Sequence, residues 1–486
     1  MKKNLVLIAL TLWSGIPSFF TPFVHTDEGG WATLAKGLFT GEIYHDFTDH
    51  KPPLLFIVHW LFSFGETSLQ ILHFSTALWL GLGAMGLYWI LQKYLSEKAA
   101  FFAAALFAIL SGLIEGGAYL PERIYIPLAI FMVVCAMKGL ETSSLKKRLL
   151  WFFVAGICAG SAACLKQPAL LFISIPVYMM IQSRKEFFLP FFAAAIGGLG
   201  ITFGSWAVLR VPFHIIWQES YLANFTYMQF HQVNAAFQST EIMKRIVAAF
   251  MVLSMPVFIG GLRCLFLRFK NFKNLNKAFP MILLFMVTLI IVSLGRRFYE
   301  TYFIAALPCF AIMTVLYFNE KFVERMMQLA VIVSVSANTY YFTMQFTDRN
   351  KNWDSKIQAL VSDIQKDSSP EDRIWINHNL QSVYYAANRK PAVKYIYFQH
   401  SIGYADPCTA ADEQLVEHPD YENFQTNLKM LNEYKPKIIF WTQRPRNTCA
   451  DRIKLENFPI FKKFIEDSYT KKWENKLGTY YLRNPS

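Results

Sequence analysis

The chain has 486 residues, of which 54% are hydrophobic and 16% aromatic, while only 17% are charged. A soluble globular protein of this size carries about a quarter charged residues, so the composition excludes an ordinary soluble enzyme. The formal charge of +13 would suit a nucleic-acid binder, but it gathers in short loops between apolar runs, which argues against that partner.

The charge deficit is uneven. Up to about residue 346 the sequence is a series of apolar runs, and beyond it charged and polar residues dominate. This predicts a polytopic α-helical membrane domain over residues 1–346 and a soluble, exported α/β domain over 347–486. About eleven candidate spans have the length that a ~30 Å hydrocarbon core requires. They lie near 4–24, 69–92, 99–117, 124–140, 149–166, 168–183, 187–209, 246–265, 279–295, 301–318 and 326–346. The first opens with Met-Lys-Lys like a signal peptide, yet no small-residue cleavage site precedes Asp27 and further spans follow, so its retention is expected.

Loop charges set the orientation. With the N-terminus in the cytoplasm, the inner loops are YLSEK, 141–148 ending KKR, SRKE, RCLFLRFKNFKNLNK and NEKFVER, all short and rich in Lys and Arg. An odd number of spans then exports the C-terminal domain. The location expected is a bacterial cytoplasmic (inner) membrane with the C-terminal domain periplasmic or extracellular, and lipid is a standing partner.

Between the first two spans lies HTDEGGWATLAKGLFTGEIYHDFTDHKPPLLF, a catalytic-loop candidate over about 25–68. It packs Asp27, Glu28, Asp46, Asp49, His50 and Lys51 against a membrane boundary, where charge is costly and marks function. Three further clusters fall on the same side under this topology. They are LPERIY at 120–125 with Glu122 and Arg123, LKQP at 165–168 with Lys166 and Gln167, and GRRFYETY at 295–302. Singly, each has a plainer explanation in snorkelling bases and interfacial aromatics. Together, with both signs of charge, they suit a lipid-phosphate substrate. Arg forks and Lys point charges hold phosphates, and a carboxylate can take a proton from an incoming hydroxyl, since burial raises the ordinary aspartate pKa of about 3.9. Asp27 and Glu28 can divide roles between base and positioning group. Asp49 and His50 are candidate metal ligands, and their spacing does not decide whether a divalent metal is required.

The segment 210–245 carries Trp217, Tyr221, Phe225, Tyr227, Phe230 and His231, which suits an interfacial helix more than a sugar-stacking surface. Asn224-Phe225-Thr226 is an N-glycosylation sequon, a pattern short enough to arise by chance. Cys135, Cys158, Cys164, Cys264 and Cys309 lie in or beside spans and read as small core residues. Cys408 and Cys449 are the two cysteines of the exported domain and candidates for a disulfide in an oxidising compartment.

In the exported domain Trp353, Ile357, Leu360, Val361 and Ile364 have helical spacing, as do Tyr421, Phe424, Leu428 and Leu431. RIWIN, VKYIYF, KIIFWT and TYYLR read as strands, which predicts a small α/β layer structure with a largely parallel sheet. Nothing there resembles a phosphate-binding glycine loop.

The order of first span, DE, amphipathic loop and KPPL resembles the GT-C superfamily of membrane glycosyltransferases. The branch it is most similar to holds the protein O-mannosyltransferases and the lipid A aminoarabinose transferase. PE at 121–122, KQP at 166–168 and RRFYETYF at 296–303 followed by Pro308 are similar to further landmarks of that family. The resemblance implies inverting transfer of a hexosyl or pentosyl group from a polyprenyl-phosphate carrier to a lipid A, surface-glycan, glycolipid or protein acceptor on the outer face of the membrane. It implies that Asp27 is the catalytic acid-base residue with Glu28 beside it, and that Lys51 belongs to the donor pocket. It further implies that Arg296, Arg297 and Lys166 hold the carrier phosphate, with Glu122 and Tyr299 in the same donor-binding set. Thr301 stands where many relatives have histidine, and DHKPPL departs from the EKPPL of the aminoarabinose enzyme. The rival reading is a polytopic lipid or solute transporter or flippase, which would place charge at mid-membrane and show repeated halves, neither of which the sequence displays.

Overall fold

The computed structural model describes residues 2–20, 26–65, 68–113, 117–183, 188–224, 275–293, 300–317, 320–346, 348–377, 380–402, 415–442 and 453–485. The chain divides into two compact units. One comprises Met1–Val24, Leu61–Ser205 and Glu241–Thr343, and the other His25–Trp60, Trp206–Thr240 and Met344–Ser486.

The first unit is helical. Helices Lys2–Gly15, Leu69–Leu91, Glu97–Leu113, Pro121–Glu141, Leu145–Ala163, Ser174–Ser183, Phe188–Val208, Leu275–Ser293, Leu307–Tyr317 and Glu320–Phe346 overlap stretches expected from hydropathy, the last running three residues past this unit's boundary, while the first part of the stretch expected at 301–318 is a 3-10 segment over Glu300–Ala306. The expected span at 246–265 lies outside the described residues. Among the described residues, Lys2–Phe20, Leu69–Leu91, Pro121–Glu141 and Phe188–Val208 are long and apolar enough to cross a membrane. The stretch expected at 168–183 is not one continuous α-helix. Pro168 opens a tight 3-10 segment over Gln167–Ile173, and the α-helix begins only at Ser174. Proline is tolerated there because it stands in the first turn, where its missing N–H has no partner to lose.

Helix packing in lipid has no hydrophobic drive and relies on close backbone approach through small residues. Leu145–Ala163 and Phe188–Val208 meet in this way. A Cβ at Gly156 would run into the Ala194 carbonyl, and one at Gly160 would meet Gly198 and Ile201. The seam is therefore closed to any larger side chain.

The second unit contains a five-stranded sheet in the order β2-β1-β3-β5-β4, formed by β1 Arg373–Ile376, β2 Lys390–Pro391, β3 Ile438–Thr442, β4 Tyr469–Asn475 and β5 Gly478–Arg483. Its central strands β1 and β3 are apolar on both faces because helices cover both faces. Ile374, Ile376, Ile438 and Phe440 pack with Leu360 and Ile364 of the helix Asp348–Asp367 and with Val383 and Tyr384 of Ser382–Ala387. Trp375, Ile439 and Trp441 face the other way, onto Phe424 and Leu431 of Glu422–Tyr434 and Phe461 and Ile465 of Pro459–Ser468.

Two details differ from the sequence expectation. The sheet is mixed, with β1 parallel to β2 and β3, and β5 antiparallel to β3 and β4. The cause is the hairpin: β4 and β5 are joined too tightly for a crossover, so they pair antiparallel. The expected strand at 393–398 does not form. There the Asn427 side chain takes the place of a neighbouring strand, accepting from the Tyr395 N–H at 3.0 Å and donating to the Tyr395 carbonyl at 3.2 Å, and a single 3-10 turn follows at Phe398–His400.

The helix seam yields a test. Gly156→Leu should cost about 2–3 kcal/mol through overpacking and lower the unfolding temperature of purified protein. Gly200→Ala, where nothing lies within 4 Å of the added carbon, should leave it unchanged; equal effects of the two would refute the close approach.

Candidate active site

Within the second unit, the helix Thr26–Lys36 carries Asp27 and Glu28 in its first turn and Lys36 in its last, matching charge to both ends of the helix dipole. Asp27 is partly exposed and Glu28 fully buried. Gly29 and Gly30 follow because that face is in direct contact with other backbone and side chains. A Cβ at Gly29 would collide with Ser382, and one at Gly30 with the Tyr397 hydroxyl. The same hydroxyl donates to the Asp27 carbonyl at 3.4 Å.

The chain then turns sharply. Tyr44 is buried with φ of 65°, a left-handed conformation unusual for a bulky residue that marks a locally strained backbone. Its ring meets Phe56 edge-on at 6.1 Å, and its hydroxyl donates to the Lys51 carbonyl. The Asn224 amide donates to the adjacent His50 carbonyl at 2.7 Å. The backbone of His50 and Lys51 is thus held from two sides immediately before the helix Pro53–Phe62. The sequon asparagine has a structural use, since its amide also donates to the Ser220 carbonyl at 2.6 Å.

Asp46 anchors rather than reacts. It pairs with Arg373 at 2.9 Å, and Glu42 pairs with Lys390 at 2.6 Å. Burial works against the Asp46 charge, but His45 and Arg373 outweigh it and lower its pKa. Lys394 pairs at 2.6 Å with Glu219, where burial dominates and raises the carboxyl pKa despite the lysine. Near Glu219, Phe213, Trp217 and Tyr221 stack in succession, with Trp217 and Tyr221 at 5.2 Å and 17°; Phe225, Tyr227, Phe230 and His231 lie outside the described residues.

The centre of the loop is a buried group of alternating charge and polarity. Trp31 Nε1 donates to Asp49 Oδ2 at 2.9 Å, and His50 Nδ1 lies 2.9 Å from Asp49 Oδ1. Lys51 Nζ stands 2.8 Å from His50 Nε2. His400 completes the group, its ring 5.3 Å from that of His50. Burial would raise the Asp49 carboxyl, yet the charges of His50, Lys51 and His400 and the His50 contact outweigh it and hold the group well below the ordinary carboxylate range. Asp49, His50 and His400 are all buried and offer ligand atoms within 4.8 Å of one another. One carboxylate oxygen and two imidazole nitrogens fit zinc better than magnesium.

In the first unit, three separate sequence landmarks meet. Lys166 pairs with Glu122, which is buried, and its ammonium also stands 3.7 Å from the centroid of the Tyr302 ring. Arg123 is buried as well and donates to the Ala118 carbonyl at 2.8 Å and the Gly112 carbonyl at 3.4 Å, so its charge secures the chain between two helices. Arg296, Arg297, Tyr299, Cys264, Cys408 and Cys449 lie outside the described residues.

Residues 50–206 match the family model described as dolichyl-phosphate-mannose-protein mannosyltransferase. The fold is similar to that of ArnT from Cupriavidus metallidurans bound to undecaprenyl phosphate, with a TM-score of 0.58 at 13% identity over 99% of both chains. It is also similar to the Archaeoglobus fulgidus oligosaccharyltransferase. The apo form gives a TM-score of 0.52 at 11% identity over 99% of this chain and 74% of that one; the complex with Zn and sulfate gives 0.50 at 12% over 99% and 73%. The fold is GT-C. The chain is accordingly a multi-pass membrane protein, and the resemblance carried by DE and KPPL holds at the level of the fold. No match is found among curated proteins.

His400, Tyr397, Trp31 and Tyr302 were not legible as site residues. His400 is some 350 positions from His50 in an unremarkable FQHS stretch, and no spacing rule connects them. Tyr397 had one indirect signal, the Gly29-Gly30 pair, since adjacent glycines often mark close approach.

Two predictions follow from this geometry. The Asp49 pKa is depressed, so its charge contributes stability above the ordinary carboxylate range that is lost as pH falls below it. Asp49→Asn should therefore lower the unfolding temperature at about pH 7, a loss of stability on the order of 3 kcal/mol, and the gap from wild type should narrow as pH falls below the ordinary carboxylate range; a pH-independent gap would count against the buried charge. For the metal, zinc should raise the unfolding temperature of chelator-treated protein through ligand linkage, magnesium should not, and His400→Ala should remove the rise. Absence of a zinc effect in the wild type would show that the three groups serve only one another.

Proposed function

We propose that this chain is an inverting glycosyltransferase that moves a hexosyl or pentosyl group from a polyprenyl-phosphate carrier to an acceptor hydroxyl on the outer face of a bacterial inner membrane. The family description, the GT-C fold and the undecaprenyl phosphate bound to ArnT support the class of donor. The observation that carries the reading is the placement of Asp27. It is a partly exposed carboxylate at the start of a helix, beside a fully buried Glu28 and on a backbone held by Tyr397. A general base has to be reachable by substrate yet fixed in place, and Asp27 meets both conditions.

In the proposed reaction the acceptor hydroxyl gives its proton to Asp27 while its oxygen attacks the anomeric carbon. The bond from that carbon to the phosphate oxygen breaks, its electron pair leaves with the polyprenyl phosphate, and attack from the opposite face inverts the configuration. A phosphate is a good leaving group when its charge is neutralised, which is the proposed work of Lys51, Lys166, Arg296 and Arg297. Glu122 would orient Lys166 for that task, and Tyr299 belongs to the same donor set by resemblance. A divalent metal at Asp49, His50 and His400 would add positive charge for a phosphate. The N-terminus is assigned to the cytoplasm and the C-terminal domain to the outer side by the loop charges.

The acceptor belongs to one of four classes, namely lipid A, surface glycan, glycolipid or protein. Deleting the gene from its source organism and identifying the accumulated carrier lipid by mass spectrometry would reveal the sugar. Restoring wild type should clear that lipid, while Asp27→Asn should not clear it even though it inserts normally. Glu122→Lys should reduce clearance at least tenfold, on the order of 1.4 kcal/mol or more. An active Asp27→Asn protein would remove the base assignment.

A further inference from the structure

We infer that Tyr397, carried by the sheet-forming part of the second unit, is a positioning residue for Asp27, and that the turn from Tyr397 to His400 fixes the Asp27 end of the loop relative to its His50 corner. The inference rests on the proposed transfer reaction and concerns how its base is held.

Three independent features agree. The first is the turn itself. The His400 N–H donates to the Tyr397 carbonyl at 2.8 Å, and the Tyr397 and His400 rings lie 5.6 Å apart. One end of this turn places the Tyr397 hydroxyl on the Asp27 carbonyl at 3.4 Å, and the other places His400 against His50 with ring centroids at 5.3 Å. Asp27 and His50 are 23 residues apart in sequence, and this four-residue turn spans the space between their neighbourhoods.

The second is what holds the turn. Asn427, buried on the helix Glu422–Tyr434, binds both backbone groups of Tyr395 and donates to Ser401 Oγ at 2.6 Å. The Asn423 amide donates to the His400 carbonyl at 3.0 Å, and the Gln381 amide to the Ile396 carbonyl at 3.3 Å. Side chains from two other segments therefore bond the turn at both ends, so its residues have little freedom to move. Rotamers locked by packing and by supporting hydrogen bonds are what keep a reactive group in productive geometry.

The third is the space made for the hydroxyl. Gly30 lacks the carbon that would strike it. Tyr397 is buried, and a buried phenol costs free energy unless its oxygen is bonded. Phenylalanine would fill the same volume without that demand. The retained hydroxyl and the cleared position opposite it make sense together if the contact to Asp27 has a use.

The test uses membranes of the deletion strain, which hold the accumulated carrier lipid, each with one variant restored to equal abundance of folded protein. The initial rate of lipid consumption is followed against lipid content. Tyr397→Phe should lower the rate at saturating lipid on the order of 10- to 100-fold, the size expected from about 1 Å of misplacement, with little change in the half-saturating amount. A purely structural tyrosine would instead lower the abundance of folded protein and leave the rate per folded molecule unchanged. Gly30→Ala should produce a similar loss, and the double variant should be no worse than the worse single one, because both remove one contact. Asn427→Ala should reproduce part of the loss. A Tyr397→Phe protein with the wild-type rate, or additive losses in the double variant, would overturn the inference. Failure of wild type to clear the lipid would instead overturn the transferase reading itself.

Discussion

The second unit is organised by the cost of burying the Asp49 carboxylate. An ion of that size loses several kcal/mol of hydration when it leaves water, and the loss is offset only where donors and opposite charges surround it. Trp31, His50, Lys51 and His400 do so here. They come from a helix, the bend just before another helix and a distant 3-10 segment, so satisfying one carboxylate draws three parts of the chain together. Asp27 is held by a neighbour of that arrangement through Tyr397, and the reactive end of the loop inherits its placement from the buried end.

Charge is used in three different ways along the same loop. Glu42 and Asp46 form pairs near the surface that are worth little singly and act mainly to set register. Asp49 is buried and tightly partnered. Asp27 combines partial exposure with a backbone held by Tyr397, a combination that proton transfer asks of a base. A similar economy governs the first unit, where Lys166 is shared between the buried Glu122 and the face of Tyr302, while Arg123 secures backbone carbonyls. Adjacent residues of one short motif, Glu122 and Arg123, thus do different jobs.

Local pattern carried much of this information. Runs of apolar residues marked the helices of the first unit, and alternation with helical spacing marked the strands β1, β3 and β5 and the helices around them. DE and KPPL marked the loop and the fold class. What eluded the pattern was set by non-local partners. Residues 393–398 have strand composition, but Asn427 bonds both backbone groups of Tyr395, and the stretch makes an isolated bridge to Thr48 instead of a strand. The parallel reading of the sheet failed at β4 and β5 because a tight hairpin fixes orientation whatever the strand composition.

By itself, the sequence determined where the chain meets apolar surroundings, which residues are costly enough to need a purpose, and which superfamily their order resembles, because hydrophobic length and local charge are properties of neighbouring residues. Only the tertiary structure decided which of those charges are buried, that His400 and Tyr397 join the loop, and that Asp46 anchors while Asp27 stays accessible. Those outcomes depend on burial and on partners hundreds of residues away, and neither burial nor a distant partner leaves a periodic trace in the chain.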